Sequence, residues 1–120
     1  MSVPTLSAVV LDCPDARALS NFYASLLGWA PAPEPAEGVT WYSIKGGSGR
    51  IDFQQIYGYR SPTWPEGGHP QQLHLDLAVD DLAAAHERAV ALGATPLDRS
   101  DESFWVYADP AGHPFCLCAC

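Results

Sequence analysis

The stretch QLHLDLAVDDLAAAHERAVALG (72–93) decides how the rest of the chain is read. Its first eight residues alternate: Leu75 and Leu77 share one side of an extended strand, and His74 and Asp76 share the other. Asp80 or Asp81 then offers a carboxylate to the free N–H groups of a new helix, and Gly93 supplies the stop. A core strand with an imidazole and a carboxylate on one face, leading into a capped helix, is the unit to look for elsewhere.

It recurs near the start. LSAVVLD (6–12) is a β-rich run, and Asp15 caps the helix that follows. There Leu19, Phe22, Tyr23 and Leu26 recur at helical spacing, and Gly28 ends it. Setting Asp15 over Asp81 sets Ala8 over His74, seven residues before the cap in each case, and brings GWAP close to GATP. Prolines keep PAPEPAEG (31–38) irregular, while TWYSI and RIDFQQI flank GGSG as a hairpin. The residues thus give βαββ for module 1 (5–57). The loop GYRSPTWPEGGHP (58–70) leads to module 2 (71–120). There ATPLD, SFWVYAD and PFCLCAC supply strands after the helix, with DPAGH (109–113) as a turn. Each sheet has a helix on one face only, so two of them side by side would curl around a shared cavity.

Composition narrows the function. At 120 residues the expectation is a single domain, and 48% hydrophobic content with 13 aromatic residues argues against disorder. Six basic against 14 acidic residues give a net charge of −8, a field that repels nucleic-acid phosphates and anionic lipid surfaces. No apolar run approaches the roughly 20 residues that cross a bilayer, and the expected location is cytoplasmic. Three of the four cysteines form the terminal CLCAC (116–120), whose spacing of two suits neither a zinc knuckle nor an easy bridge. Reduced thiols are expected there. No phosphate loop, serine nucleophile motif or HExxH helix is present.

The combination of ALSNFYASLLGW, HLDLAVDDLAAAHERAVALGATPL and FWVYADPAGHPFCL resembles the vicinal oxygen chelate superfamily, which includes glyoxalase I, bleomycin resistance proteins and extradiol dioxygenases. The resemblance covers nearly the whole chain. It implies an α+β fold of two βαβββ modules, a U-shaped mixed sheet around a central cavity, and a homodimer. It does not fix a reaction, because this fold serves many.

In metal-dependent members of that superfamily, each module contributes two ligands. Carried over residue by residue, the first position is Ala8, which has no donor atom, and the third is His74, which matches. The fourth is Cys116, four residues after Gly112, where those enzymes have Glu. The second falls at the end of RIDFQQI; alternation favours Gln54 over Gln55, with Ile51 and Phe53 turned toward the helix. A His, an amide and a thiol make a poor site for a hard ion. No tightly bound cofactor is therefore expected, with a divalent Zn, Mn, Fe or Ni ion held by His74 as the alternative.

His74 and Asp76 remain as a candidate acid–base or ligand-orienting dyad, the carboxylate fixing the imidazole tautomer. Candidate ligand contacts are Trp41, Gln54, Trp64, His69, Trp105, Tyr107 and Cys116. Ordinary core packing is the competing reading for Trp41 and Trp105. Trp64 differs, since it lies between prolines and glycines in a polar loop and must pack against something. The function these residues suggest is metal-independent binding of a small aromatic or amphipathic molecule in the cavity expected between the two modules. The alternative is a lyase, isomerase or dioxygenase-like enzyme that uses His74.

Overall fold

The computed structural model describes residues 2–119, and the chain divides into two compact units at Tyr57 and Gly58. The first unit holds strand β1 (Val9–Cys13), helix α1 (Ala16–Leu27), and strands β2 (Trp41–Gly46) and β3 (Gly49–Gln55). Its sheet runs β1-β3-β2, with β1 parallel to β3 and β2 antiparallel to it. The second unit holds β4 (Leu75–Ala78), α2 (Leu82–Leu92), β5 (Thr95–Asp98), β6 (Phe104–Ala108) and β7 (Pro114–Cys118). Its sheet runs β4-β7-β6-β5, again with the first strand parallel to the last. The second module is thus βαβββ; the described residues of the first give βαββ, as its proline-rich segment dictates.

Both helices start and stop where the caps lie. The Asp15 carboxylate accepts the Ala18 N–H at 3.0 Å, and Asp81 accepts that of Ala84 at 3.2 Å. Gly28 and Gly93 close them in left-handed conformations, with φ of 69° and 117°. Helix α1 buries Leu19, Phe22 and Tyr23, and the Tyr23 ring stacks on Phe53 of β3 with centroids 5.9 Å apart. In the second unit Tyr107 and Phe115, both fully buried, stack at 5.5 Å on the side of the sheet that His86 of α2 meets.

Strand parity follows from those contacts. On β3, Ile51 and Phe53 face α1, and so does Gln55, whose side-chain oxygen accepts the Ala16 N–H at 3.1 Å. Gln54 therefore lies on the opposite face, beside its antiparallel partner Trp41. On β6 and β7, Trp105, Tyr107 and Phe115 face α2, which leaves Phe104, Val106, Pro114 and Cys116 on the other face.

Candidate functional site

The face of the second sheet that turns away from α2 carries a cavity of about 380 Å³. Its wall is apolar, built from Phe104 and Val106 of β6, Pro114 of β7 and Trp64 of the loop. Its polar end is made by Gln71, His74, Asp76 and Cys116, and Cys118 also borders it. Every lining residue belongs to the second unit.

The loop that brings Trp64 there is stitched down rather than loose. Thr63 N–H donates to the His69 carbonyl at 2.6 Å, and a parallel bridge joins Thr63 to Pro70. The Tyr59 and Ser61 hydroxyls both donate to the Ala111 carbonyl in the DPAGH turn, at 2.8 and 2.9 Å. The turn is itself held by buried Asp109, whose carboxylate accepts the N–H groups of Ala111 and His113. Gly112, at φ 90°, lies so close that an added Cβ would stand 2.7 Å from the Ser61 Cβ, so a side chain here would push the loop away.

His74 sits just ahead of β4, with Asp76 two residues on and Cys116 the register partner of Asp76 on β7. The His74 Nε2 and an Asp76 carboxylate oxygen lie 3.3 Å apart. One donor atom from each of His74, Asp76 and Cys116 falls within 4.8 Å of the other two. His74 and Asp76 are solvent-accessible, whereas Cys116 is buried. Burial pushes the Cys116 thiol up to about 11, helped by the charge of Asp76 and by a hydrogen bond to its carboxylate. At neutral pH the sulfur is a protonated thiol resting on a carboxylate.

The sequence-predicted residues divide into three groups. His74, Asp76, Trp64 and Cys116 come together at this cavity. Trp41 and Gln54 pair on the helix-free face of the first sheet, where the Trp41 indole N–H donates to the Asp52 carboxylate at 2.9 Å. Trp105 and Tyr107 lie on the α2 face of the second sheet, away from this cavity. The Trp105 ring lies under the Arg99 guanidinium and edge-on to His86, and the Tyr107 hydroxyl shares a 2.7 Å hydrogen bond with His86 Nδ1. Parity is the reason: choosing Phe104 and Val106 for the cavity forces their neighbours to the other side. His69 is exposed near Arg60 and does not line the cavity. Cys118 is disulfide-bonded whereas Cys13 and Cys116 are thiols outside any disulfide, so the expectation of reduced thiols is corrected at Cys118; Cys120 lies outside the described residues.

Sequence reasoning missed Gln71, Phe104, Val106 and Pro114. Gln71 has a buried side-chain oxygen with no hydrogen-bond partner, a cost that a bound donor would relieve. It also missed Asp52. The pairing of β1 with β3 sets Asp52 opposite Val10, as the pairing of β4 with β7 sets Cys116 opposite Asp76. Asp52 is buried and committed: Arg50 donates to both of its oxygens, at 2.8 and 2.9 Å, and Trp41 to one. Burial pushes its carboxyl up, but hydrogen bonds from Arg50, Ser43 and Trp41 outweigh this and hold it below the usual carboxylate range.

These residues do not fit the oxygen-coordinated divalent ion that the fold family implies. The first module offers no donor at Ala8, and its one buried carboxylate on the helix-free face is taken by an arginine. The second module offers sulfur where a hard ion wants a carboxylate.

A βαββ unit followed by a βαβββ unit, each with its helix on one face, defines the α+β class of the glyoxalase and dioxygenase folds. The family model described as "Glyoxalase-like domain" matches residues 8–118, and the chain belongs to that family, within the vicinal oxygen chelate superfamily. No curated protein matches the chain in sequence. Among solved structures it is similar to the fosfomycin resistance protein FosX from Mesorhizobium loti, with a TM-score of 0.74 at 14% identity, covering 99% of this chain and 94% of that one. It is similar to a glyoxalase/bleomycin resistance protein/dioxygenase family enzyme from Burkholderia phytofirmans (TM-score 0.70, 20% identity, 92% and 94% covered). It is also similar to TnmS3, an antibiotic binding protein from Streptomyces (TM-score 0.65, 17% identity, 98% and 97% covered). At these identities the likeness is one of fold.

Proposed function

We propose that this protein binds a small aromatic or amphipathic molecule in the cavity of its second module, without the oxygen-coordinated metal of metal-dependent relatives. The observation that carries this reading is the cavity itself: an apolar wall of Trp64, Phe104, Val106 and Pro114 facing a polar end of Gln71, His74 and Asp76. A flat ring stacks or packs on the wall, and a donor group on the ligand answers the unpartnered Gln71 oxygen and the Asp76 carboxylate. The antibiotic binding protein of the same fold supports a sequestering role. In this reading the active species is a homodimer in the cytoplasm; light scattering on the purified protein tests the first part. Among the described residues, no helix is long and apolar enough to cross a membrane.

The test is thermal-shift screening of aromatic and amphipathic compounds with and without a chelator. Stabilisation by at least one compound class, unchanged by chelator and lost in Trp64→Ala, is the expected result. Stabilisation that disappears with chelator overturns it.

The 3.3 Å approach of His74 to Asp76 favours a second reading, an enzyme in which His74 is the acid or base and Asp76 orients it. His74→Ala then abolishes turnover of an identified substrate while the fold persists, and retained turnover removes His74 from the chemistry.

A further inference from the structure

We infer that the cavity of the second module selects a cation, namely a compact aromatic molecule carrying a protonated primary or secondary amine. The inference rests on the small-molecule reading above and names the charge and head group of the ligand that reading calls for.

The lining sets the sign of the charge. Among the described residues that border the cavity there is no lysine or arginine, and Asp76 is the one carboxylate. Cys116 adds no second anion, because burial pushes its thiol up to about 11 and keeps it protonated at neutral pH. An ionised carboxylate accepts hydrogen bonds at about four lone-pair positions. His74 Nε2, at 3.3 Å, and the Cys116 thiol take up part of that capacity, and the Asp76 side chain is still 62% exposed. A carboxylate on the ligand would meet this charge with no guanidinium or ammonium to answer it, whereas a protonated amine answers it with a charge-assisted hydrogen bond.

Gln71 narrows the head group. Its side-chain oxygen is buried without a hydrogen-bond partner at the same polar end, and an amide oxygen can only accept. What relieves it is an N–H or O–H on the ligand. A quaternary ammonium has charge but no N–H, so it answers Asp76 alone; a primary or secondary ammonium answers both. The apolar wall suits the rest of the molecule: Trp64 and Phe104 offer ring faces, and an indole face also attracts a nearby cation. About 380 Å³ accommodates one or two fused rings with a short arm. The net charge of −8 enriches cations around the whole protein, so the same preference acts on approach.

The probes are four naphthalenes that differ only in the head group of a two-carbon arm: primary amine, trimethylammonium, alcohol and carboxylate. Each is titrated into the full chain by calorimetry at pH 8, where free imidazole is neutral and an alkylamine is charged. The primary amine is expected to bind roughly tenfold more tightly than the alcohol, the order that a charged hydrogen bond supplies, with the carboxylate weakest. The trimethylammonium compound should fall between amine and alcohol, and added salt should weaken the two cations alone. Trp64→Ala should weaken all four. In Asp76→Asn the amine and the alcohol should bind alike, with the alcohol's affinity and the urea midpoint kept; in Gln71→Met the primary amine should lose its advantage over trimethylammonium. An alcohol or carboxylate that binds as well as the amine, or an amine preference that survives Asp76→Asn, would overturn the inference. Those outcomes leave the small-molecule reading standing, because the naphthalene is still bound. Binding by none of the four overturns the inference too, and the compound screen then decides that reading on its own.

Discussion

In the first module the residue in register with Val10 is Asp52; in the second the residue in register with Asp76 is Cys116. Counted from the helix caps, Val10 and Asp76 hold the same place, and so do Ala8 and His74. One fold position therefore carries opposite solutions. In the first module the carboxylate sits on the last strand and is closed by Arg50 and Trp41. In the second it sits on the first strand, beside an imidazole and a thiol, and its side chain stays 62% exposed. A buried charge that has found its partners is structural; an accessible carboxylate beside two other donors still has valence to offer. Both modules place a carboxylate in this register pair, and in the second that carboxylate stays accessible to solvent.

The largest effect that would sharpen this contrast comes from the face behind the cavity. Phe115 is fully buried against Tyr107, and Phe115→Ala should cost about 3–5 kcal/mol, read as a lowered urea midpoint. Phe104→Ala, one strand over on the cavity face and 42% exposed, should cost less than about 1 kcal/mol while weakening binding of any compound found by screening. Equal destabilisation by the two would mean that the sheet has no open face.

Next in size is Asp52. Its folded pKa is held below the ordinary value, so its contribution is fully present above the unfolded-state pKa of about 3.9 and is lost as pH falls through the folded value. Asp52→Asn should cost about 1–3 kcal/mol at pH 7, because it leaves Arg50 and the Trp41 indole poorly matched. The gap between variant and parent should narrow at pH 3. Urea unfolding at both pH values decides it, and a gap of the same size at both would show that the carboxylate charge is not what closes this face.

Much of the architecture was legible because it rests on local chemistry. Asp15 and Asp81 lie one residue before their helices, glycines 28 and 93 follow them, and period-two alternation separated Gln54 from Gln55. The candidate site was legible only in part. His74 and Asp76 could be paired because they share one strand, and Cys116 could be reached through the family resemblance. The remaining lining depends on which residues of β6 point away from α2, and FWVYA is aromatic or apolar on both faces, so no alternation reveals it. Large aromatic residues invited the pocket assignment of Trp105 and Tyr107, yet their size suits them equally to fill the space under a helix. Trp64 is carried on a loop held by long-range hydrogen bonds to the DPAGH turn, which no local pattern encodes.

The smallest effect tests that β6 assignment directly. Tyr107 is buried, burial pushes its hydroxyl pKa up, and its hydroxyl meets His86 Nδ1 at 2.7 Å. Tyr107→Phe removes that hydrogen bond with little change in volume, so it should cost about 0.5–1.5 kcal/mol. His86→Ala on top of it should then add less than it does alone, because the two side chains share one contact. Affinity for a cavity ligand should not change in either variant. A loss of ligand affinity in Tyr107→Phe, with stability preserved, would turn β6 over and move the open face of the second module to the side of α2.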